Sequence, residues 1–93
     1  MTIKYVMAKI TDDDKLLVRG HAYVTQWFEN DPLYDILEDD GRGIRHQFET
    51  CTQAEHDEWF VEMTEDDYEM YFNACANGYE DVWTLIRRLY DCN

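Results

Sequence analysis

TQAEHDEWFVEM, residues 52–63, decides where the chain passes from sheet to helix. As a helix it opens on Thr52-x-x-Glu55, a capping box in which a hydroxyl and a carboxylate each satisfy a backbone N–H, and His56, Trp59, Phe60 and Met63 form one stripe. As a strand, Trp59, Val61 and Met63 alternate against Glu58, Phe60 and Glu62. We read a helix ending near Met63. Downstream, Thr64-Glu65-Asp66-Asp67 predicts a second start, with three acids in the first turn where the helix dipole favours anions. Tyr68, Tyr71, Phe72 and Cys75 then fall on one helical face, and Asn77-Gly78 ends it. A further helix is expected over 80–91, with Val82, Leu85, Ile86 and Leu89 as its buried stripe and Arg87-Arg88 near its end.

Upstream the pattern is that of strands. In 2–10 Ile3, Tyr5 and Met7 alternate with Lys4, Val6 and Ala8, and Thr11-Asp12-Asp13-Asp14 is a polar turn. Residues 16–28 are rich in Val, Tyr, Trp and Phe, with Gly20 as a bulge or bend and a stop at 29–32. Residues 33–38 and 44–49 form a second strand pair around a tight turn, Asp39-Asp40-Gly41-Arg42, in which Gly41 supplies a positive φ. The expectation is an α+β chain, mainly β over 1–50 and mainly α over 51–93. A small N-terminal antiparallel sheet or open barrel precedes two or three C-terminal helices. Residues 20–49, GHAYVTQWFENDPLYDILEDDGRGIRHQFE, resemble small SH3-like barrels in strand rhythm.

Ninety-three residues suffice for one core, so a single domain spanning 1–93 is expected. Apolar residues at 45% and aromatics at 15% exceed what a disordered acidic tether carries. Apolar runs are far shorter than the roughly 20 residues of a membrane span, and the N-terminus lacks the apolar core of a signal peptide. A cytoplasmic protein without membrane contact is expected. Cys51, Cys75 and Cys92, an odd number without CxxC spacing, read as reduced thiols, with Cys75 in the core.

The net charge of −13 is unevenly spread. Residues 47–93 hold twelve acids and two bases, and between Arg45 and Arg87 there is no Lys or Arg at all. Eleven acids fall in the 33 residues from 49 to 81, so this span cannot neutralise itself through local i,i+4 ion pairs. Such charge opposes direct binding to nucleic acid or anionic membranes.

Catalytic patterns are missing. Cys51 lies among Glu49, Glu55 and Asp57, which raise a thiol's pKa and blunt it as a nucleophile. His46, Cys51 and His56 lack the close pairing of zinc ligands, and an EF-hand register on Gly41 puts Ile36 where an aspartate is required. No Walker loop, GxGxxG or GxSxG occurs, and with 21 acids no one carboxylate pair is distinctive. No cofactor, metal or catalytic residue is assigned.

The stretch EHDEWFVEMTEDDYEMYF, residues 55–72, sets eight carboxylates among five rings. In this respect the chain resembles small acidic host-takeover proteins of phage type. Among these are DNA mimics that act as anti-restriction or anti-CRISPR inhibitors or block repair and nucleoid factors. That resemblance implies a non-enzymatic inhibitor in the bacterial host cytoplasm, whose carboxylates replace phosphates against Lys and Arg of a basic nucleic-acid-binding protein. The expected partner-binding residues are Glu55, Asp57, Glu58, Trp59, Glu62, Glu65, Asp66, Asp67, Glu69, Tyr79, Glu80 and Asp81. Trp59, Tyr68 or Tyr79 would be exposed anchors. A homodimer is compatible with the sequence. The alternative readings are a protein–protein adaptor anchored by exposed aromatics and a metal-binding protein.

Overall fold

A computed structural model describes residues 1–40, 42–77, 84 and 86–90, with 74–77 by backbone only. Its framework is an antiparallel sheet built from β1 (Thr2–Ala8), β2 (Ala22–Trp27), β3 (Leu33–Asp39), β4 (Arg45–Thr52) and β5 (Phe60–Met63). The strand order is β4-β3-β2-β1-β5. Helix α1 (Gln53–Trp59) joins β4 to β5 without a loop on either side, and α2 (Glu65–Asn77) follows β5. Residues 84 and 86–90 are helical. The α+β arrangement, strands first and helices after, is the one the sequence predicts. Among the described residues no helix is long and apolar enough to cross a membrane.

Residues 52–63 combine both readings. The capping box forms as expected, and a helix then carries His56 and Trp59 inward. It stops at Trp59, however, and the chain straightens into β5, so the expected helix to Met63 is corrected. Long-range pairing causes the switch: Phe60, Val61, Glu62 and Met63 register against Ala8, Met7, Val6 and Tyr5. This ladder satisfies the backbone and sends Phe60 to one face of the sheet and Val61 to the other.

Both sheet faces are covered. On one, Val6, Ala8, Tyr23, Tyr34, Ile36, Cys51 and Phe60 pack under Trp59 of α1, with Leu17 alongside. On the other, Met7, Ala22, Val24 and Val61 pack under Tyr68 and Tyr71 of α2 together with Ile86 and Leu89. Three successive residues of β1, Val6, Met7 and Ala8, are therefore fully buried. Two-sided burial of this kind replaces the alternation of a sheet with one wet face.

The expected strand over 16–28 is shorter than its composition indicates. Asp13–Lys15 forms a single 3-10 turn whose cap residue, Leu16, sits in the left-handed region at φ 59°. Leu17 then pairs with Asp12 as an isolated bridge. The bend anticipated at Gly20 is present at φ +85°, and a Cβ there would lie 3.3 Å from Ile86 Cδ1, so glycine serves both backbone and packing. In the β3–β4 turn, Asp40 Oδ1 accepts from the backbone N–H of Arg42 at 2.8 Å. That bond, the largest cause, lowers the Asp40 pKa. Gly41 lies outside the described residues, while Gly43 has φ +86°. Phe48 is an extra residue on β4, since Ile36 pairs with Glu49 and Leu37 with Gln47.

Candidate functional site

The acidic span folds as α1, β5 and the first turns of α2. In α1, Thr52 Oγ1 accepts from the Glu55 N–H at 3.1 Å and the Glu55 carboxylate accepts from the Thr52 N–H at 2.9 Å. Glu55 is thus engaged in starting the helix. Asp57 and Glu58 project from the outer side of α1 and are exposed, whereas His56 and Trp59 face the sheet. His56 Nε2 and Thr25 Oγ1 share a hydrogen bond of 2.9 Å, and the imidazole lies 4.4 Å from the Tyr34 ring centroid. Burial lowers the His56 pKa, with the Lys4 charge acting the same way, so the ring is neutral at pH 7.

Glu62, on the edge strand β5, reaches Lys4 Nζ at 2.7 Å. Hydrogen bonding to Glu62 is the main cause of a raised Lys4 pKa. In α2, Thr64 Oγ1 accepts from the Asp67 N–H at 3.1 Å, as the sequence predicts for the helix start. Asp67 also pairs with Arg88 at 2.5 Å. Glu65, Asp66 and Glu69 are exposed.

This geometry sorts the sequence-predicted residues. Glu62 and Asp67 have cationic partners from distant parts of the chain, which a search for local pairs cannot find. Asp57, Glu58, Glu65, Asp66 and Glu69 remain as exposed carboxylates. Because α1 and α2 cover opposite faces of the sheet, these five do not form one flat surface: Asp57 and Glu58 belong to one face, Glu65, Asp66 and Glu69 to the other. Two expected anchors need correction: Trp59 is 6% exposed and Tyr68 5%, both packed as core. An aromatic at the inward position of an amphipathic helix gains more from covering the sheet than from standing in water. Tyr79, Glu80 and Asp81 lie outside the described residues, as do the side chain of Cys75 and all of Cys92.

The thiol of Cys51 is free and buried, and its pKa is pushed up to about 12. Burial is the first cause, with Glu55 and Glu49 adding to it; the sequence supplies the carboxylates but not the larger effect. His46 is exposed, with Nε2 3.7 Å from Asp40, while His56 is tied to Thr25. Among the described residues no three metal-ligating side chains converge.

One feature escapes a sequence reading. Tyr5 of β1, Asp39 at the end of β3, Arg45 at the start of β4, and Glu65, Tyr68, Glu69, Phe72 and Asn73 of α2 line an open cleft of about 370 Å³. The Tyr68 ring centroid lies 4.9 Å from that of Tyr5, tilted at 45°, and 4.9 Å from that of Phe72, edge to face, and Arg45 holds its guanidinium carbon 5.7 Å from the Tyr5 centroid. The Tyr68 hydroxyl is buried without a hydrogen-bond partner. Its pKa is pushed up to about 12, first by burial and then by the Asp39 charge. No local signal announces this cleft, because its walls come from β1, the ends of β3 and β4, and α2, which are far apart in sequence.

Comparison with known proteins finds no family model, no curated protein and no solved structure that matches this chain.

Proposed function

We propose that this chain is a non-catalytic acidic binding protein that acts in the cytoplasm by occupying the nucleic-acid-binding groove of a basic protein. The observation that carries the reading is the exposure of Asp57, Glu58, Glu65, Asp66 and Glu69, on the two covered faces of the sheet, within a span that has no Lys or Arg from residue 46 to 86. Self-repulsion of this kind disfavours the compact state, so retaining it calls for a compensating use. Magnitude supports a phosphate-like role. The molecule is 39 Å along its longest axis. Over that length duplex DNA carries roughly 20 phosphate charges. A net charge of −13 is lower than this but of the same order. The aromatic-adaptor reading is weaker, since Trp59 and Tyr68, two of its three candidate anchors, are core residues.

The test is capture from a bacterial lysate on immobilised protein. A nucleic-acid-binding protein should be retained at low salt, persist after nuclease treatment, elute at high salt and be displaced by duplex DNA. Charge reversal at Glu65, Asp66 and Glu69 should abolish capture; Asp67 is left intact because it holds Arg88. Binding that survives both high salt and charge reversal would overturn the reading.

A further inference from the structure

We infer that the cleft between α2 and the β3–β4 turn is a guanidinium-binding site, and that a partner arginine seats there. The partner as source of the arginine rests on the function proposed above. The chemistry of the cleft stands on separate observations. Its walls combine three aromatic rings, Tyr5, Tyr68 and Phe72, with the carboxylates of Asp39, Glu65 and Glu69. At about 370 Å³ it lies at the small end of ligand-site volumes, which run from about 300 to 1,000 Å³. Flat π faces and several acceptors suit a planar cation with a fork of donors better than a compact ammonium.

Two further features point to a ligand. Tyr68 is 95% buried by its 5% exposure, yet its hydroxyl has no partner. The charges acting most strongly on that hydroxyl are those of Asp39 and Arg45, both of them cleft residues, and the Arg45 side chain also interacts with it without completing a hydrogen bond. A buried hydroxyl without a partner is costly, and an arriving N–H donor would satisfy it. In addition, the exposed Arg45 already rests its guanidinium over the Tyr5 ring, so the cleft accommodates the group from within the chain. An incoming arginine would replace Arg45, whose side chain swings to solvent.

The experiment follows backbone amide shifts of the full, isotope-labelled chain during titration with N-acetyl-arginine methylamide. Parallel titrations use the lysine analogue and sodium chloride at matched ionic strength. The arginine amide should give saturable shifts centred on Tyr5, Asp39, Tyr68 and Phe72 that sodium chloride does not reproduce, and it should bind more tightly than the lysine amide. E65Q/E69Q should weaken binding roughly tenfold or more. D13N/D14N, in the exposed 3-10 turn and not part of the cleft wall, should leave it within about twofold. Y68F should weaken it roughly two- to tenfold through loss of the hydroxyl acceptor. R45A should tighten it, because the internal competitor is gone; a merely structural Arg45 would not give that result. Shifts matching those of sodium chloride, equal binding of the lysine amide, or indifference to E65Q/E69Q would overturn the site. Arginine amide binding without any DNA-competed protein capture would overturn the partner as its source. Capture without arginine amide binding would remove the cleft and leave the charge-mimic reading standing.

Discussion

Replacing Tyr68 by Phe removes one oxygen and leaves the ring. The wild-type hydroxyl is buried and has no hydrogen-bond partner, an arrangement that costs about 1–3 kcal/mol in a protein interior. The ring contacts, 4.9 Å to Tyr5 and 4.9 Å to Phe72, depend on shape and survive the substitution. Y68F should therefore stabilise the fold by about 1 kcal/mol, read as a Tm increase of about 4–8 °C for a domain of this size. The pH dependence gives a second readout. The folded pKa of Tyr68 is pushed up to about 12, against about 10 for a free tyrosine. A raised folded pKa means that the contribution of the neutral phenol is complete below pH 10 and is lost as pH climbs from 10 toward 12. The difference is on the order of 2–3 kcal/mol. Urea unfolding at pH 8, 10 and 11, for wild type and Y68F side by side, isolates this residue from the other tyrosines. The variant should be more stable at pH 8 and decline less steeply above pH 10. A Y68F chain less stable than wild type at pH 8 would refute the reasoning, because it would mean that the hydroxyl is satisfied.

Three other outcomes follow from the same physics. W59A should cost about 3–5 kcal/mol and be seen as loss of cooperative unfolding or a sharply lowered urea midpoint, since Trp59 closes the core over one sheet face; a near-neutral effect would contradict its burial. The depressed folded pKa of His56 means that its contribution is present above about pH 6.5 and is lost as pH falls below that value. Wild-type urea midpoints should thus fall more steeply between pH 7.5 and 5.5 than those of a T25V/H56F variant, and equal slopes would count against the buried neutral imidazole. Raising sodium chloride from 0.05 to 0.5 M should screen the −13 charge, and about 1 kcal/mol of relief would raise Tm by about 4–8 °C; a fall in Tm would show that the ion pairs outweigh the repulsion.

The helix starts at Thr52 and Thr64 were legible because capping is written in four consecutive residues, and the inward face of α2 because Tyr68, Tyr71 and Phe72 repeat at helical spacing. The first four strands were legible from composition, with less certainty at their ends: the left-handed Leu16 and the 3-10 turn before it carry no distinctive residue. Where reading failed, the cause was distance along the chain. Residues 60–63 become a strand because β1 offers them a free edge, and nothing within the segment records that. The same pairing separates α1 from α2, so an acidic run continuous in sequence is divided between two faces. Lys4 and Arg88 neutralise Glu62 and Asp67 from far outside the run. Periodicity places Tyr68 inward, while the stranded hydroxyl and the cleft beside it depend on where Asp39 and Arg45 arrive.

We propose that exposed carboxylates substitute for phosphates. The most direct test is the affinity of the captured nucleic-acid-binding protein for this chain, measured across sodium chloride concentrations with labelled duplex DNA as competitor. The two ligands should exclude one another, and affinity should fall linearly in log–log form as salt rises. Simultaneous binding of DNA and this chain, or an affinity indifferent to salt, would contradict the proposal.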